Sequence, residues 1–405
     1  MRGPLRRMVP PWSLQHGRRG PRRGPVGGRP HDAWNGRRCR LAGGGGVDMA
    51  VAGSLSMRAF WALAAERERA GHLGRFRQGL EAAILYACRG VGPGYYQMAG
   101  FWEKGVPWRD KAGHLSTMAY RKALQRLNPV NHRKISQNKL IEKALLQALA
   151  IPTPPYLGFY HPAAGRTPDG APLRTPEALS EYLSERLNGK KVCFKAVEGW
   201  GGYTFESVAV AQDGDDIRLL RDRTGEYATV SEFCDSALHT AHARGSILET
   251  YLQQHDAFAA FNLSSVNTLR IWALQAKDLT VTPVLAYLRI GRLGAIVDNQ
   301  SSGGIVAPVN LQTGILEPAM DGTPRRQIYP MHPDHAAPIA DVKLPFFEES
   351  LSLATSCVAA FPGTRFAGVD VAVTPEGPSV IELNVSPDRI GAAFTRVPTR
   401  AIARS

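Results

Sequence analysis

Hydrophobic and polar positions follow three different patterns along the 405 residues. Between 57 and 128, "FWALAAERERAGHLGRFRQGLEAAILYACRG" and "GHLSTMAYRKALQRLN" carry apolar stripes among helix formers, which predicts a mainly helical segment. "GVGPG" interrupts that segment and "NPVN" ends it. The aromatic-rich "GYYQMAGFWEKGVPW" inside it reads as packing between helices rather than a ligand-stacking surface. No strand, glycine turn and helix follow one another here, so a dinucleotide-binding domain is excluded.

From 131 the grammar changes. A helix carrying Leu140, Leu145, Leu146 and Leu149 runs into "IPTP", and the chain then becomes extended. A polar loop over 163–176 precedes "TPEALSEYLSERL", a helix with a cap signal. "KKVCFKAVEGWGGYTFESVAVA" predicts a strand, a glycine-rich turn and a second strand. "SILETYLQQH", "NTLRIWALQ" and "TPVLAYLRIGR" predict further strands, "DNQSSGGIVAPVN" a glycine loop and strand, and "LPFFEESLSLATSCVAAFP" a helix. The chain has no internal repeat. A final hairpin, "GVDVAVTPEGPSVIELNVSPD", is expected to close the fold.

In that hairpin Val369, Val371 and Val373 alternate with Asp370 and Ala372, and Ile381 and Leu383 alternate with Val380, Glu382 and Asn384. Both runs have the two-residue period of a strand. Placing the apolar sets on one face fixes the parity of pairing. A five-residue loop at 374–378 satisfies that parity and sets Asp370 opposite Glu382, with Asn384 two positions along on the same face. Carboxylates are costly to bury uncompensated. Two carboxylates and an amide oxygen on one patch suit a hard cation such as Mg²⁺. The same pattern also fits the solvent-facing side of an edge hairpin.

Composition narrows the class. The formal charge of +14 is concentrated in residues 1–50, where eleven Arg and two Asp give +9. Those residues are rich in Arg, Gly and Pro, lack periodicity and lack an apolar core of a secretory signal. A basic tail that binds RNA or acidic lipid would have this composition, as would upstream codons read before a true start at Met49 or Met57. The remaining residues carry only +5, so nucleic acid is not an expected partner. No apolar run is long enough to span a bilayer. Five scattered cysteines without a C-x-x-C spacing argue against a disulfide framework or a zinc site, and favour a reduced, cytoplasmic setting.

Lys195 sits mid-strand in "VCFKAVEG" beside the "GWGG" turn, where glycines allow backbone N–H groups to approach phosphate. Lys139 in "QNKL" is a second candidate cation. Arg270 lies among apolar residues in "NTLRIWAL" and offers a planar fork for phosphate or carboxylate. Asn299, Gly303 and Gly304 in "DNQSSGG" offer a second backbone approach to an anion, and "ILETYL" ends a strand at Glu249, where backbone groups could meet a planar base. There is no P-loop and no nucleophile elbow. The "HPDH" pair, His332 and His335, and the "HTAH" pair, His239 and His242, lack further ligands nearby and read as structural.

The order of these motifs over 131–388 resembles the ATP-grasp superfamily, in its glutamate-ligase-like, sugar-transfer associated branch. "NKLIEKALLQALAIPTP", "FKAVEGWGG", "LETYL", "SSVNTLRI", "VDNQSSGGI" and "GVDVAV…IELN" carry the resemblance. It implies a mixed α+β fold of two α+β subdomains clasping ATP, preceded by a mainly helical segment. The expected division is a basic tail at 1–56, a helical segment at 57–130, an N-terminal lobe at 131–248 and a C-terminal lobe at 249–395.

By that resemblance Lys139 and Lys195 hold the α- and β-phosphates, and Gly199, Gly201 and Gly202 close over the triphosphate. Glu249 and the backbone of Leu252 face the adenine. Asp256 is placed for the ribose, with Gln253 and His255 as competitors. Asn299, Gly303 and Gly304 belong to the family's glycine motif. Arg270 steadies the γ-phosphate or the tetrahedral intermediate, and Asp370, Glu382 and Asn384 ligate Mg²⁺. Trp200 and Tyr203 stand where the family has small or basic residues, and "VSPD" replaces its usual Pro-Gly after the Asn.

The implied activity is an ATP- and Mg²⁺-dependent carboxylate–amine ligase acting through an acyl-phosphate, with donor and acceptor linked to sugar or cell-surface polysaccharide. A sugar-hydroxyl kinase and a nucleotide-binding protein without turnover are the alternatives.

Overall fold

Ser56 accepts a hydrogen bond from the Ala59 N–H at 3.2 Å and so starts helix α1, Met57–Arg69. The computed structural model describes residues 55–404 apart from 200–203, 215 and 239–244. The basic tail, Gly201, Gly202, Trp200, Tyr203 and the His239/His242 pair lie outside the described residues.

The helical segment continues with α2 (Arg75–Arg89), α3 (Pro93–Met98), α4 (Trp108–Lys111), α5 (Thr117–Leu127) and α6 (Val130–Gln137). Ser116 caps α5, and Asn138 caps α7 (Lys139–Ala148) through the Ile141 N–H at 3.1 Å. Tyr95, Tyr96, Met98, Phe101 and Trp102, all from the aromatic-rich stretch, are buried between helices.

Two antiparallel sheets follow. The first has six strands, β1 (Tyr156–Tyr160), β2 (Lys191–Ala196), β3 (Phe205–Asp213), β4 (Asp216–Arg221), β5 (Tyr227–Thr229) and β6 (Ser246–Thr250), in the order β1-β6-β2-β3-β4-β5. Helices α8 (Pro176–Leu187) and α9 (Val230–Ala237) cover one of its faces around Leu179, Leu183, Phe194 and Phe233. Thr229 and Glu232 form a capping box at the start of α9.

The second sheet has seven strands and runs β11-β10-β9-β8-β7-β12-β13. These are β7 (Thr268–Gln275), β8 (Val281–Ile290), β9 (Ile305–Val309), β10 (Ala319–Met320), β11 (Ile328–Tyr329), β12 (Phe366–Thr374) and β13 (Gly377–Asn384). One face packs on α11 (Phe347–Ala360) and Leu146 of α7; the other packs on α1 to α5 through Trp272, Leu285, Val306 and Phe366. Covering on both faces explains why β7 and β12 read as nearly continuous apolar runs. Each large side chain fully withdrawn there contributes about 1.5–3 kcal/mol.

The final hairpin pairs Asp370 with Glu382, as parity requires, but its loop is shorter than expected. Strand pairing persists to Thr374 and Gly377, leaving a two-residue turn, and a bulge between Asp370 and Val371 restores the register. The bulge leaves Ile381 unpaired. Nor does the hairpin close the fold: α12 (Ile390–Thr395) and α13 (Arg400–Arg404) follow and join the helical layer over the second sheet. No helix among the described residues is long and apolar enough to cross a membrane.

Candidate functional site

A cleft of about 920 Å³ lies between the two sheets. It brings together most of the side chains expected to act. Lys139, Lys195, Gly199 and Leu252 line it from the helix α7 and first-sheet side. Arg270, Asn299, Asp370, Glu382 and Asn384 line it from the second sheet and its loops. Unpaired Ile381 also faces the cleft, so the bulge re-aims an apolar residue into the site.

Other expected residues take different places. Glu249 lies behind Lys195 in a smaller adjoining cavity, also lined by Glu142 and Lys143. Asp256 is exposed at the start of the short helix α10 (Asp256–Ala259) and does not line the cleft; neighbouring His255 caps that helix through Nδ1. Gly303 and Gly304 do not line it either. Their N–H groups already donate to the Gln300 and Asn299 carbonyls, at 3.0 and 3.1 Å. Gly303 supplies the left-handed φ of 86° that ends a 3₁₀ turn, and a Cβ on Gly304 would stand 2.5 Å from the Asp298 carbonyl. These two glycines shape the loop in this structure.

Asp370 raises the problem of a buried carboxylate. Arg270 on the adjacent strand grips both its oxygens through Nε and Nη2, and Arg289 on β8 reaches Oδ2 at 3.2 Å. Burial alone would raise the Asp370 pKa; Arg270 and then Arg289 outweigh it and hold the acid below its ordinary value. Arg289 also pairs with Asp298 at 3.1 Å, and Asp298 accepts from the Thr268 N–H at 3.0 Å. The result is an alternating chain of acid and base, Asp298–Arg289–Asp370–Arg270, along the cleft wall. Arg289 has the same sequence signature as Arg270, a cation between apolar strand residues in "YLRIG". That signal would have found it.

Lys195 is similarly engaged. Its Nζ lies 2.5 Å from Glu249 Oε2, while Lys143 Nζ lies 2.6 Å from Oε1. Burial would lower the Lys195 pKa, but Glu249 raises it above the ordinary value, whereas at Lys143 burial prevails. Lys143 further donates to the Thr153 hydroxyl and the Pro154 carbonyl, at 2.5 and 3.0 Å. It therefore ties α7 to the "IPTP" exit. Lys139 Nζ sits 3.7 Å from Glu382 Oε2 and donates to the Gly199 carbonyl at 3.2 Å, bridging the two sides.

Glu142 was not evident from sequence. It is buried one turn along α7 from Lys139 and accepts the Leu383 N–H. Burial and neighbouring Glu382 push its pKa up to about 8. A packed polar scaffold supports the connection carrying Leu252. Gln254 donates to the Asn262 and Ser265 carbonyls at 2.7 and 2.9 Å, and Asn267 donates to Gln254 Oε1 at 3.0 Å. His332 and His335 bond the carbonyls of Gly291 and Phe261 at 3.1 and 2.7 Å, a structural use.

The donor chemistry fits a hard divalent cation. Asp370 and Glu382 are paired across β12 and β13, and both line the same wall as Asn384. Among the described residues no cluster of three His, Cys, Asp or Glu side chains offers a competing centre. Asn384 Oδ1 accepts the Ser386 N–H at 3.0 Å, which fixes the amide at the end of β13.

No curated protein matches the chain. Among solved structures it is similar to N5-carboxyaminoimidazole synthase from Aspergillus clavatus, at 13% identity and TM-score 0.35 over 70% of this chain and 53% of that one. It is also similar to biotin carboxylase from Campylobacter jejuni, at 13% and 0.39 over 67% and 47%. A third is the D-alanine-D-alanine ligase from Coxiella burnetii, at 12% and 0.33 over 66% and 51%. The chain spans about half the length of each. The family model described as sugar-transfer associated ATP-grasp matches residues 120–398. The chain belongs to the sugar-transfer associated ATP-grasp family.

Proposed function

We propose that the protein is an ATP- and Mg²⁺-dependent carboxylate–amine ligase, with a sugar-linked carboxylate or amine as substrate. Its lobes would be 131–248 and 249–395, preceded by the helical segment 57–130. The observation that carries this reading is the cross-strand pair Asp370 and Glu382, set on one wall of a cleft whose other wall presents Lys139 and Lys195.

ATP would supply the phosphoryl group that activates a substrate carboxylate, and Asp370, Glu382 and Asn384 would hold a Mg²⁺ ion that neutralises phosphate charge. Lys139 and Lys195 place positive charge beside the phosphates. Lys195 is oriented by Glu249, which fixes its ammonium at the cleft wall. Arg270 and Arg289 hold Asp370 ionised. The acyl-phosphate is then open to attack by an amine, giving an amide and releasing phosphate. Such chemistry asks the protein for positioning and charge more than for a nucleophile of its own. The absence of a Ser or Cys nucleophile motif agrees with that.

The test is a screen of amino acids and sugar acids for ADP release with Mg²⁺, followed by mass analysis of the product. An amide together with phosphate supports the reading. A phosphorylated sugar formed without phosphate release would replace it with a kinase.

A further inference from the structure

Four residues paired across the second sheet form one transverse row, Glu382–Asp370–Arg270–Tyr287, on strands β13, β12, β7 and β8. All four line the cleft. The metal and phosphate chemistry proposed above uses the first three and leaves Tyr287 without a task. Its ring is buried against Phe394, with centroids 6.1 Å apart. Gly391 keeps the hydroxyl end clear, since a Cβ there would stand 2.8 Å from Cε1 and 3.1 Å from Oη. That hydroxyl has no hydrogen-bond partner among the described residues.

The segment after β13 lines the same cleft with Ser386, Asp388, Ile390 and Gly391. It is held in place: Tyr120 donates to the Pro387 carbonyl at 3.1 Å, and Asp388 Oδ1 accepts the Ile390 N–H at 3.1 Å. The other acids of the cleft are answered. Arginines hold Asp298 and Asp370, and lysines lie 3.3 Å from Glu198 and 3.7 Å from Glu382. Glu142 takes the Leu383 N–H, and burial pushes its pKa up to about 8. Asp388 is exposed and has no cation among the described residues. Even neighbouring Arg389 turns away, to the Leu115 carbonyl at 2.8 Å and over the Tyr95 ring. Burial raises the Tyr287 phenol above its ordinary value; Arg270 and Arg289 oppose that, and the charge of Asp388 adds to it. The two groups therefore share one electrostatic neighbourhood.

Lysines and arginines dominate the rest of the cleft and would repel a charged amine. An oriented carboxylate with no cation of its own attracts one. A carboxylate substrate would be repelled there, and a sugar hydroxyl would gain nothing from the charge. On the ligase reading above, which this extends, we propose that Asp388 and Tyr287 form the acceptor subsite and select an amine that enters as its ammonium. Asp388 accepts one ammonium N–H in a charge-assisted bond, and Tyr287 Oη accepts a second. The acceptor class is an aliphatic or sugar amine protonated near neutral pH.

The experiment offers methylamine and hydroxylamine as acceptors to the full chain with Mg²⁺ and ATP, the sugar acids and amino acids of the screen serving as donors. The two acceptors match in size, but near neutral pH methylamine is charged and hydroxylamine is not. Hydroxylamine traps an acyl-phosphate as the hydroxamate, which reads the ligase activity. The ratio of kcat/KM for methylamine to that for hydroxylamine reads the subsite. Asp388→Asn keeps an oxygen for the Ile390 N–H and changes an exposed side chain, so its melting temperature should match wild type. Its ratio is expected to fall about 10-fold or more, as for the loss of one charge-assisted hydrogen bond. Tyr287→Phe should lower the ratio in the same direction. No hydroxamate from wild type would overturn the ligase reading and the subsite with it. Hydroxamate without methylamide from wild type, or a ratio unchanged in either variant, would overturn the subsite while the ligase reading stands.

Discussion

Lys195 and Glu249 meet across neighbouring strands β2 and β6 at 2.5 Å, with the carboxylate buried and a second lysine, Lys143, on its other oxygen. One anion thus serves two buried cations, so its loss should be felt at both. Glu249→Gln is expected to destabilise by about 3–5 kcal/mol, because two buried ammonium groups lose their partner. Lys143 and Lys195 hold the Glu249 carboxyl below its ordinary value of 4.5, against the effect of burial. The sign follows from proton uptake: the unfolded chain binds the proton at higher pH than the folded one. The stabilisation is present above pH 4.5 and is lost as pH falls through the lower, folded value. Urea unfolding from neutral to acid pH checks this, since the Gln variant should lack that part of the acid loss.

Arg270→Met leaves Asp370 with Arg289 alone. It should cost about 3 kcal/mol, since one charge of the pair stays buried. Arg270→Met/Asp370→Leu removes both partners and should recover most of that stability. Calorimetry measures the recovery. Magnesium-dependent nucleotide binding should fail in the double variant even where the fold is restored.

Glu382 is more open to the cleft, so its removal separates binding from stability. Glu382→Ala should leave the melting temperature nearly unchanged while weakening Mg²⁺-dependent ATP affinity by about 10-fold or more, in line with loss of a charged ligand. Titration calorimetry with and without Mg²⁺ reads this. Equal affinity in the two proteins would remove Glu382 from the metal set.

Asn128 fastens the helical segment to the second sheet and to the chain just beyond β13. Its amide donates to the Phe366 and Val385 carbonyls at 2.6 and 2.7 Å, and its oxygen accepts the Arg365 and Phe366 N–H groups at 3.0 and 3.1 Å. Asn128→Leu should destabilise by about 3 kcal/mol, because each buried backbone group left unpaired costs about 1–3 kcal/mol. Chemical denaturation of the full chain measures it.

Much of this site was legible before the structure. Alternation together with an assumed five-residue loop set Asp370 against Glu382, and a two-residue turn plus a one-residue bulge give the same pair. The bulge at Ile381 was invisible to that reasoning: a two-residue period cannot report one extra residue when the loop length is free. Arg270 stood out against its apolar neighbours, and Arg289 carried the same mark. Asp298 and Asn128 carried none, being ordinary loop residues until the chain brings a partner from far along the sequence. Lys143 went unread, an ordinary helix lysine one turn from Lys139 until the fold brings Glu249 to it. Gly303 and Gly304 have the composition of a phosphate loop, but turn geometry consumes their N–H groups. The helices after the hairpin were missed because "VSPD" reads as a stop.

The helical layer over the second sheet draws its partners from residues 272 to 402. Helices α1 to α5 therefore leave the ribosome long before the strands they cover exist. Phe60, Tyr96 and Phe101 must wait, wet and sticky, until residues 392–402 have been made, because Ala392, Phe394 and Ile402 belong to the same core. A nascent chain with that order of assembly is exposed to aggregation and to chaperone capture throughout translation. Removing α13, and Ile402 with it, would leave that core open on one side.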